Sequence, residues 1–409
     1  MNQAIFHRDY YLNKIRGFYK SDLIKVVTGI RRCGKSCFLQ SVIEDLKANG
    51  VLEKDIININ LDKYGFIGIT TAEQLDKCLQ SRITDSDFKY IFIDEIQNVT
   101  GFETLINAYR EEGRFSIFIT GSNSYLLSGE LVTKLTGRYI EIEMFPLNFQ
   151  EFLAMKKFKA IETRDASTEF MEYIRHGGFP KTIEFPNEQD KDLYVENVIQ
   201  QVIEKDVIKY RQIRNKSVFN KVMNYVINNF GSTTSIKSIA EHFKKQENLP
   251  IKIETINGYL KILENAKIIN RCSRFDVKSK KSLMGEQKYY LADLGIYFSR
   301  NTDQRINFGP ALENILYTYL RAKGYRLSVG RIGKLECDFI TQKNGNYDYI
   351  QIAMTIGEQK TEDREYEPFK HIRDNYPKYL FTLDPLLQKR DGILHKNLVQ
   401  FIAADLELE

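Results

Sequence analysis

Eight consecutive residues form the clearest chemical pattern in this chain of 409 residues. They are Gly29, Ile30, Arg31, Arg32, Cys33, Gly34, Lys35 and Ser36, between a strand-like run at 25–28 and a helix-like segment from Cys37. Glycines let backbone N–H groups turn toward phosphates, and a helix N-terminus adds partial positive charge. Residues 29–37 are therefore predicted to bind ATP, with Lys35 on the β- and γ-phosphates and Ser36 on Mg²⁺.

A second pattern is the acidic pair Asp94 and Glu95, which ends an apolar run at 90–94. Adjacent acids at such a strand end are costly unless a cation or a water site uses them. We predict that Asp94 holds Mg²⁺, partly through water, and that Glu95 is the general base that polarises the attacking water. Asp94 would lie beside the phosphate loop if the two strands are neighbours. The alternative is an exposed acidic pair at the end of a strand.

Polar residues after two later strands are weaker candidates. Ser122 and Asn123 follow the run 116–120, and either side chain is a candidate sensor of the γ-phosphate or the attacking water. The same residues could instead cap the helix-like segment that follows. Arg138 precedes the run 139–144 and could stabilise charge on the γ-phosphate, in cis or across a subunit interface of a homo-oligomer. A surface ion pair is the alternative for Arg138.

Short apolar strands alternate with helix-like segments over residues 1–153, which predicts a parallel sheet with crossover helices on both faces. The fold class is therefore α/β. Residues 154–230 are predicted to form a helical lid or linker. Two helices and a strand, basic turn and strand predict a winged helix-turn-helix over 231–303, and residues 304–409 predict a last α/β unit.

The winged helix predicts a DNA contact. Its second helix carries Asn257, Tyr259 and Lys261, of which Asn and Lys can contact base edges or phosphates. The basic turn carries Lys278, Lys280 and Lys281, which suit a phosphate backbone or a minor groove. Winged helices also bind proteins, and surface lysines are often only solvated, so a protein partner is the alternative.

Several segments taken in order resemble a known protein family. GIRRCGKS, YIFIDEIQNV, FITGSNSYLLS, LTGRY and FPLNFQEFL, followed by LADLGI, ALEN and ECDFI, resemble prokaryotic AAA+-like ATPases with a C-terminal domain of unknown function. The resemblance covers nearly the whole chain. It implies ATP hydrolysis by the additional-glutamate class of P-loop enzymes, and a winged helix followed by a restriction-endonuclease-like fold.

The C-terminal unit departs from the nuclease pattern that it resembles. Glu313 and Asp338 match two of the carboxylates that such a fold uses to hold Mg²⁺. The following E-x-K positions would fall at Gln351, Ile352 and Ala353, so both key residues are replaced. We therefore predict no nuclease activity, and a metal-dependent nuclease remains only as a third hypothesis. Glu313 and Asp338 could instead be a buried acid pair that holds the fold.

Bulk properties exclude little beyond this. The net charge of +5 is mildly basic, which alone says little about nucleic acid. Five scattered cysteines argue against a disulfide framework or structural zinc. The chain has no membrane-length apolar run and no signal peptide, so a cytoplasmic location is expected. The leading hypothesis is an ATP-driven switch or motor that acts on DNA. The second is an ATP-controlled signalling or assembly switch that binds a protein.

Overall fold

The computed structural model describes residues 4–83, 88–121, 135–208, 213–279, 281–301 and 305–409. The chain divides into two units. The first comprises Met1–Phe145 and Val202–Tyr210, and the second comprises Pro146–Gln201 and Arg211–Glu409. This division differs from the predicted boundary at 153, because the helix that begins at Phe149 belongs to the second unit. Among the described residues, no helix is both long and apolar enough to cross a membrane.

The first unit is built on a five-stranded parallel sheet with the strand order β2-β3-β4-β1-β5. This confirms the predicted parallel sheet of the P-loop NTPase fold. In chain order its described helices and strands are α1 (Asp9–Arg16), β1 (Ile24–Gly29), α2 (Lys35–Ala48), β2 (Ile56–Asn60), α3 (Ala72–Gln80), β3 (Lys89–Asp94), α4 (Phe102–Glu111), β4 (Phe115–Thr120) and β5 (Tyr139–Met144). A π-helical segment, Val202–Ile208, also belongs to this unit.

The three central strands are buried along their whole length, as expected for parallel strands covered on both faces. Alternate side chains enter two different layers. Ile91, Ile93 and Ile119 belong to one apolar cluster that includes residues of α3 and α4. Phe92 and Phe118 have the opposite parity, and their rings stack at 4.5 Å between centroids. The sheet is therefore packed on both faces, and its strand ends carry the loops described below.

The second unit begins with helices and ends in a mixed sheet. Its described elements are α5 (Phe149–Phe158), α6 (Ala166–His176), α7 (Glu188–Gln201), α8 (Lys216–Asn228), α9 (Ile236–Gln246), α10 (Ile253–Asn265), β6 (Ile269–Asp276), β7 (Lys281–Leu291), α11 (Gly295–Arg300), α12 (Phe308–Ala322), β8 (Arg326–Ile332), β9 (Leu335–Lys343), β10 (Asn346–Ile352), α13 (Gln359–Lys370), β11 (Lys378–Thr382), β12 (Lys389–Arg390), β13 (Ile393–Asn397) and α14 (Leu398–Ala403).

The hairpin β6–β7 lies at one edge of an eight-stranded sheet with the order β12-β13-β11-β10-β9-β8-β6-β7. Strand β6 pairs in parallel with β8, with Arg274 opposite Val329 and Asp276 opposite Arg331. The two helices and the hairpin predicted for the winged helix are present, but the hairpin continues the C-terminal sheet. The predicted boundary at 303/304 therefore crosses one continuous sheet.

A buried carboxylate holds a glycine loop within the second unit. Asp293 accepts hydrogen bonds from the N–H groups of Gly178, at 2.6 Å, and Gly295, at 2.8 Å. A Cβ atom at Gly177 would stand 1.6 Å from Oδ1 of Asp293, and Gly177 has φ +73°. Burial raises the pKa of Asp293 to about 6, although the two N–H donors oppose that change. The loop conformation therefore requires glycine.

Candidate active site

The loop between β1 and α2 has a backbone that glycine makes possible. Gly29 has φ +144° and Gly34 has φ +105°, while Arg32 between them also lies in the left-handed region at φ +69°. A Cβ atom at Gly29 would stand 2.3 Å from the carbonyl oxygen of Met144 on the neighbouring strand β5. Such turns point successive backbone N–H groups into one concavity, which suits an anion.

Helix α2 begins at Lys35, the lysine of the predicted phosphate loop. Its side chain is 8% exposed and folds back over the loop, where Nζ donates hydrogen bonds to the carbonyl oxygens of Gly29, at 2.9 Å, and Ile30, at 3.4 Å. Ser36 in the first turn is exposed. Lysine, hydroxyl and helix N-terminus thus occur together at the end of β1.

The other residues of the predicted phosphate loop differ in how far they are buried. Ile30 and Cys33 are buried, Arg31 is half-buried, and Arg32 and Cys37 are exposed. Burial raises the pKa of the Cys33 thiol. The Cys33 side chain therefore supports the loop from inside, and the Arg31, Arg32 and Cys37 side chains reach the surface.

A buried arginine that the sequence analysis did not single out supports the same loop. Arg8 donates hydrogen bonds to the carbonyl oxygens of Phe145, at 2.7 Å, and Cys33, at 3.4 Å. Its guanidinium lies 4.6 Å from the ring centroid of Tyr11 on α1. The segment before β1 thus joins the loop to the end of β5. No local motif marks Arg8, because its partners are distant in the sequence.

The acidic pair is held by three polar residues that the sequence analysis missed. Asp94 is 4% exposed, and its carboxylate accepts hydrogen bonds from Nδ2 of Asn60, at 2.7 Å, and from the hydroxyl of Thr120. The N–H of Glu95 donates to the same hydroxyl at 3.2 Å, and the Glu95 carboxylate accepts from Nε2 of Gln97. Glu95 has φ +59°. Asn60 and Thr120 could have been found as the last residues of the flanking strands.

The strands that carry the loop and the acidic pair are not neighbours. Strand β4 lies between β1 and β3, which corrects the assumption that Asp94 sits directly beside the phosphate loop. Two strand spacings separate β1 from β3 by roughly 10 Å. Thr120, which pairs with Val27 of β1, occupies the intervening strand end. The loop, Thr120 and Asp94 therefore line the same carboxyl edge of the sheet, in that order.

Arg138 lies at the opposite edge. It precedes Tyr139, which pairs with Ile24 at the start of β1, whereas Gly29 at the end of β1 pairs with Met144. The five residue steps from Ile24 to Gly29 span about 16 Å. The hypothesis that Arg138 acts in cis on the phosphates of its own loop is therefore wrong. The candidate sensors Ser122 and Asn123 lie outside the described residues.

The predicted DNA-reading helix is α10, and its three candidates differ in accessibility. Lys261 is exposed and Asn257 is half-buried. Tyr259 packs edge-on against Phe219 of α8, with 5.2 Å between ring centroids, and its hydroxyl donates to the carbonyl oxygen of Asn215 at 3.5 Å. Tyr259 therefore joins two helices, which accounts for its presence without a nucleic acid.

The basic stretch around the hairpin is partly neutralised within the protein. Lys278 and Lys281 are exposed, while Lys280 lies outside the described residues. Arg271 lies 3.6 Å from Glu264, and Arg274 forms ion pairs with Glu286 and Glu336. Arg271 and Arg274 of β6 are therefore paired with carboxylates, whereas the two described lysines of the predicted turn are exposed.

The residues of the predicted nuclease-like site do meet in space. Glu313 on α12 and Asp338 on β9 both face Lys288 of β7, whose Nζ lies 2.9 Å from Glu313 and 4.0 Å from Asp338. Gln351 on β10 accepts a hydrogen bond from the Asp338 N–H at 2.8 Å. Ala353 is buried. Among the residues that the structure describes, no group of three or more His, Cys, Asp or Glu side chains is arranged to hold a metal ion.

Sequence comparisons match two regions of the chain to described families. Residues 21–153 match an AAA domain, and residues 167–304 match a domain of unknown function (DUF8612). An uncharacterised protein of Haemophilus influenzae is 32% identical over 383 residues, which cover 93% of this chain and 94% of that protein. An uncharacterised protein of Methanocaldococcus jannaschii is 32% identical over 362 residues, which cover 86% of this chain and 79% of that protein.

A solved structure shares the fold. The Walker-type ATPase PABY2304 of Pyrococcus abyssi superposes with a TM-score of 0.52 at 16% identity, covering 73% of this chain and 97% of that one. At this identity the likeness concerns the fold, and it agrees with the five-stranded parallel sheet of the first unit.

Proposed function

The chain belongs to one family with the uncharacterised Haemophilus and Methanocaldococcus proteins and carries an AAA domain at residues 21–153, and on that premise we propose that it hydrolyses Mg-ATP to drive a switch or motor that acts on DNA. The observation that carries the proposal is one arrangement at the carboxyl edge of the first sheet. A phosphate-type loop, the Thr120 hydroxyl and the acidic pair follow one another there on β1, β4 and β3.

The nucleotide would be held by the loop between β1 and α2. The left-handed glycines and the start of α2 offer backbone N–H groups, and the Lys35 ammonium offers a positive charge for the β- and γ-phosphates. In this chain Lys35 rests on two loop carbonyl oxygens. Phosphate oxygens, which carry full charge, would displace those neutral acceptors.

Ser36 and Asp94 are the residues that would hold Mg²⁺, which supplies charge neutralisation on the phosphates. Two donors fix the Asp94 carboxylate by opposite oxygens: Thr120 on Oδ1 and Asn60 on Oδ2. Hydrogen-bond partners of this kind orient a metal-ligating carboxylate before the ion binds, and their loss weakens metal binding. The structure thus fits a magnesium-binding role for Asp94.

Glu95 would polarise the attacking water. Its left-handed backbone turns the chain directly after Asp94, and its carboxylate rests on the amide of Gln97. A residue in that conformation costs energy that the surrounding contacts must supply, and such strain is common at functional sites. Here the Glu95 N–H bond to Thr120 holds the turn.

The nucleic-acid part of the proposal rests on the helix pair α9–α10 and the hairpin turn. The exposed cations are Lys237, Lys244, Lys245, Lys252, Lys261, Lys278 and Lys281. Together they offer phosphate contacts, which supply most of the affinity of nonspecific DNA binding. Arg138 stays in the proposal only as a residue that acts on the nucleotide of a neighbouring subunit in a homo-oligomer.

A protein partner is the second candidate. The observation that favours it is the internal pairing of Arg271 and Arg274, together with the packing of Tyr259 against Phe219. Tyr259 is thereby engaged within the protein, and the two arginines of β6 are paired with carboxylates beside the predicted DNA contacts. The winged helix and the C-terminal unit would then form a surface whose assembly with a protein is controlled by ATP.

The two candidate functions are distinguished by the ATP turnover of the full chain, measured with and without duplex and single-stranded DNA. Turnover that rises with DNA supports the DNA switch. Turnover that is present but flat across all DNA concentrations favours the protein-partner switch. No turnover under any of these conditions contradicts the hydrolysis proposal itself.

A further inference from the structure

The second unit contains a buried ion cluster that no part of the proposed ATP chemistry uses. Lys288 is 4% exposed, and its Nζ lies 2.9 Å from Oε2 of Glu313 and 2.9 Å from Oε1 of Glu336. Oδ1 of Asp338 lies 4.0 Å away. The ammonium therefore stands among three carboxylates from α12 and β9. A cation with oxygen ligands from these elements is what a nuclease-type site would require.

The carboxylates and the amide nearby already have other partners. Oδ2 of Asp338 accepts a hydrogen bond from the N–H of Ile352 at 2.8 Å. The amide oxygen of Gln351 accepts from the N–H of Asp338, and its Nε2 donates to Glu365 at 3.0 Å. Tyr290 donates to the Glu313 oxygen that also faces Lys288, at 2.8 Å. The acid set is thus satisfied from within the protein.

The residues present therefore do not fit a divalent ion, because Lys288 stands in the space between its carboxylate ligands. We infer that the Lys288 ammonium replaces the metal ion of a nuclease-type site, and that the replaced site anchors the hairpin β6–β7 to the C-terminal sheet. A compact ammonium is a point charge with three donors, so it can bridge several carboxylates as a small cation does.

The anchoring follows from which strands carry the charges. Lys288 lies on β7 and Arg274 on β6, and both contact Glu336 of β9, the latter at 2.9 Å. Burial by itself would lower the pKa of Lys288, but Glu313, Asp338 and Glu336 outweigh it and raise that pKa above its usual value. The two ion pairs with Glu336 come from both strands of the hairpin, so the cluster holds the hairpin to the C-terminal sheet.

Manganese titration of the full chain without nucleotide tests this inference, which does not depend on the ATPase proposal. All variants carry Asp94→Asn, because Asp94 is the other candidate for a divalent ion. On this background we compare Asp94→Asn alone, the chain that adds Lys288→Met, the chain that adds Lys288→Met and Asp338→Asn together, and the chain that adds Lys389→Met. Lys389 is an exposed lysine on β12 of the same sheet and serves as the control. Bound Mn²⁺ is counted by electron paramagnetic resonance, and melting temperature is recorded with and without Mn²⁺.

The inference predicts that the chain with Asp94→Asn alone binds no Mn²⁺. Its melting temperature should therefore be the same in Mn²⁺ and in EDTA. Adding Lys288→Met should lower the melting temperature, create one Mn²⁺ site per chain and raise the melting temperature again when Mn²⁺ is present. Asp338→Asn should abolish that gain, and Lys389→Met should behave as its parent.

Three results would overturn it. The first is that the Asp94→Asn chain, which retains Lys288, binds Mn²⁺ and loses that binding when Asp338→Asn is added. Another is a folded Lys288→Met chain that gains no Mn²⁺. If Lys288→Met does not fold alone, the inference requires that Mn²⁺ restores folding, so failure to fold with and without Mn²⁺ also contradicts it.

Discussion

The hydroxyl of Thr120 at the end of β4 donates a hydrogen bond to Oδ1 of Asp94 and accepts one from the N–H of Glu95. One side chain thus orients both members of the acidic pair from the neighbouring strand. Thr120 is fully buried, so neither bond can be replaced by water without opening the sheet edge. This places Thr120 as a positioning residue for the proposed hydrolysis.

Replacing Thr120 with valine, which keeps the shape and removes the hydroxyl, should lower kcat by about 10-fold to 100-fold, as expected for the loss of a partner that orients a metal ligand. Thr120→Ser should restore most of the rate, because it retains the oxygen. The measurement is steady-state ATP turnover, with kcat and KM separated. A valine variant that folds and turns over ATP at the parent rate would remove Thr120 from the mechanism.

Gly177→Ala should destabilise the second unit strongly, because the new Cβ would collide with the Asp293 carboxylate and the backbone has φ +73°. Gly392→Ala is the matched control, since Gly392 has φ +72° and open space around its Cβ position. Both variants carry the left-handed strain of about 1 kcal/mol, and only Gly177→Ala adds the collision. Thermal melts should therefore show a much larger loss for Gly177→Ala, and equal losses would refute this account of the loop.

The pH dependence of stability should carry a signature of Asp293. Its pKa rises from 3.8 to about 6 on folding because of burial, so the native state binds the proton more tightly than the unfolded state. Its contribution to stability is therefore fully present below pH 4 and is lost as pH rises to about 6, by roughly 3 kcal/mol at most. Asp293→Asn should be less stable overall, but lack this slope. Chemical denaturation of both chains between pH 4 and 7.5 gives the difference, and parallel profiles would contradict the assignment.

Replacing Lys278 and Lys281 together with glutamine should weaken DNA binding in a salt-dependent way. If both lysines contact phosphates, the slope of log K against log salt falls by about 2, since each contact contributes roughly 0.9. Lys77→Gln, an exposed lysine on α3 of the first unit, serves as the control. Binding isotherms over a series of salt concentrations measure the slope, and an unchanged slope would place the DNA contact elsewhere or favour the protein partner.

The features that sequence patterns predicted well are local ones. The run from Gly29 to Ser36 and the strand ending at Asp94 can each be recognised from a few consecutive residues. The parallel sheet is predicted from the alternation of strands and helix-like segments around them. The order of the strands is not local. The insertion of β4 between β1 and β3 brings Thr120 to Asp94, and the β1–β5 register carries Arg138 to the far edge.

The ion cluster of the second unit shows the same limit. Lys288 follows the lysines of the predicted basic turn in the sequence, yet the fold brings it to Glu313, 25 residues away in the sequence. Lys288 lies on β7, which pairs with β6, and β6 in turn pairs with β8 of the C-terminal sheet. Burial, and not the sequence pattern, decides whether a lysine is a DNA contact or an internal counter-ion.

The central claim is that Glu95 activates water for an ATP held by the loop around Lys35. The most direct measurement is ATP binding and turnover by the parent chain beside Lys35→Ala and Glu95→Gln. We predict that Lys35→Ala loses nucleotide affinity, whereas Glu95→Gln retains it and turns over ATP at least about 100-fold more slowly, as expected for the loss of a general base. A Glu95→Gln chain that hydrolyses ATP at the parent rate would contradict the account.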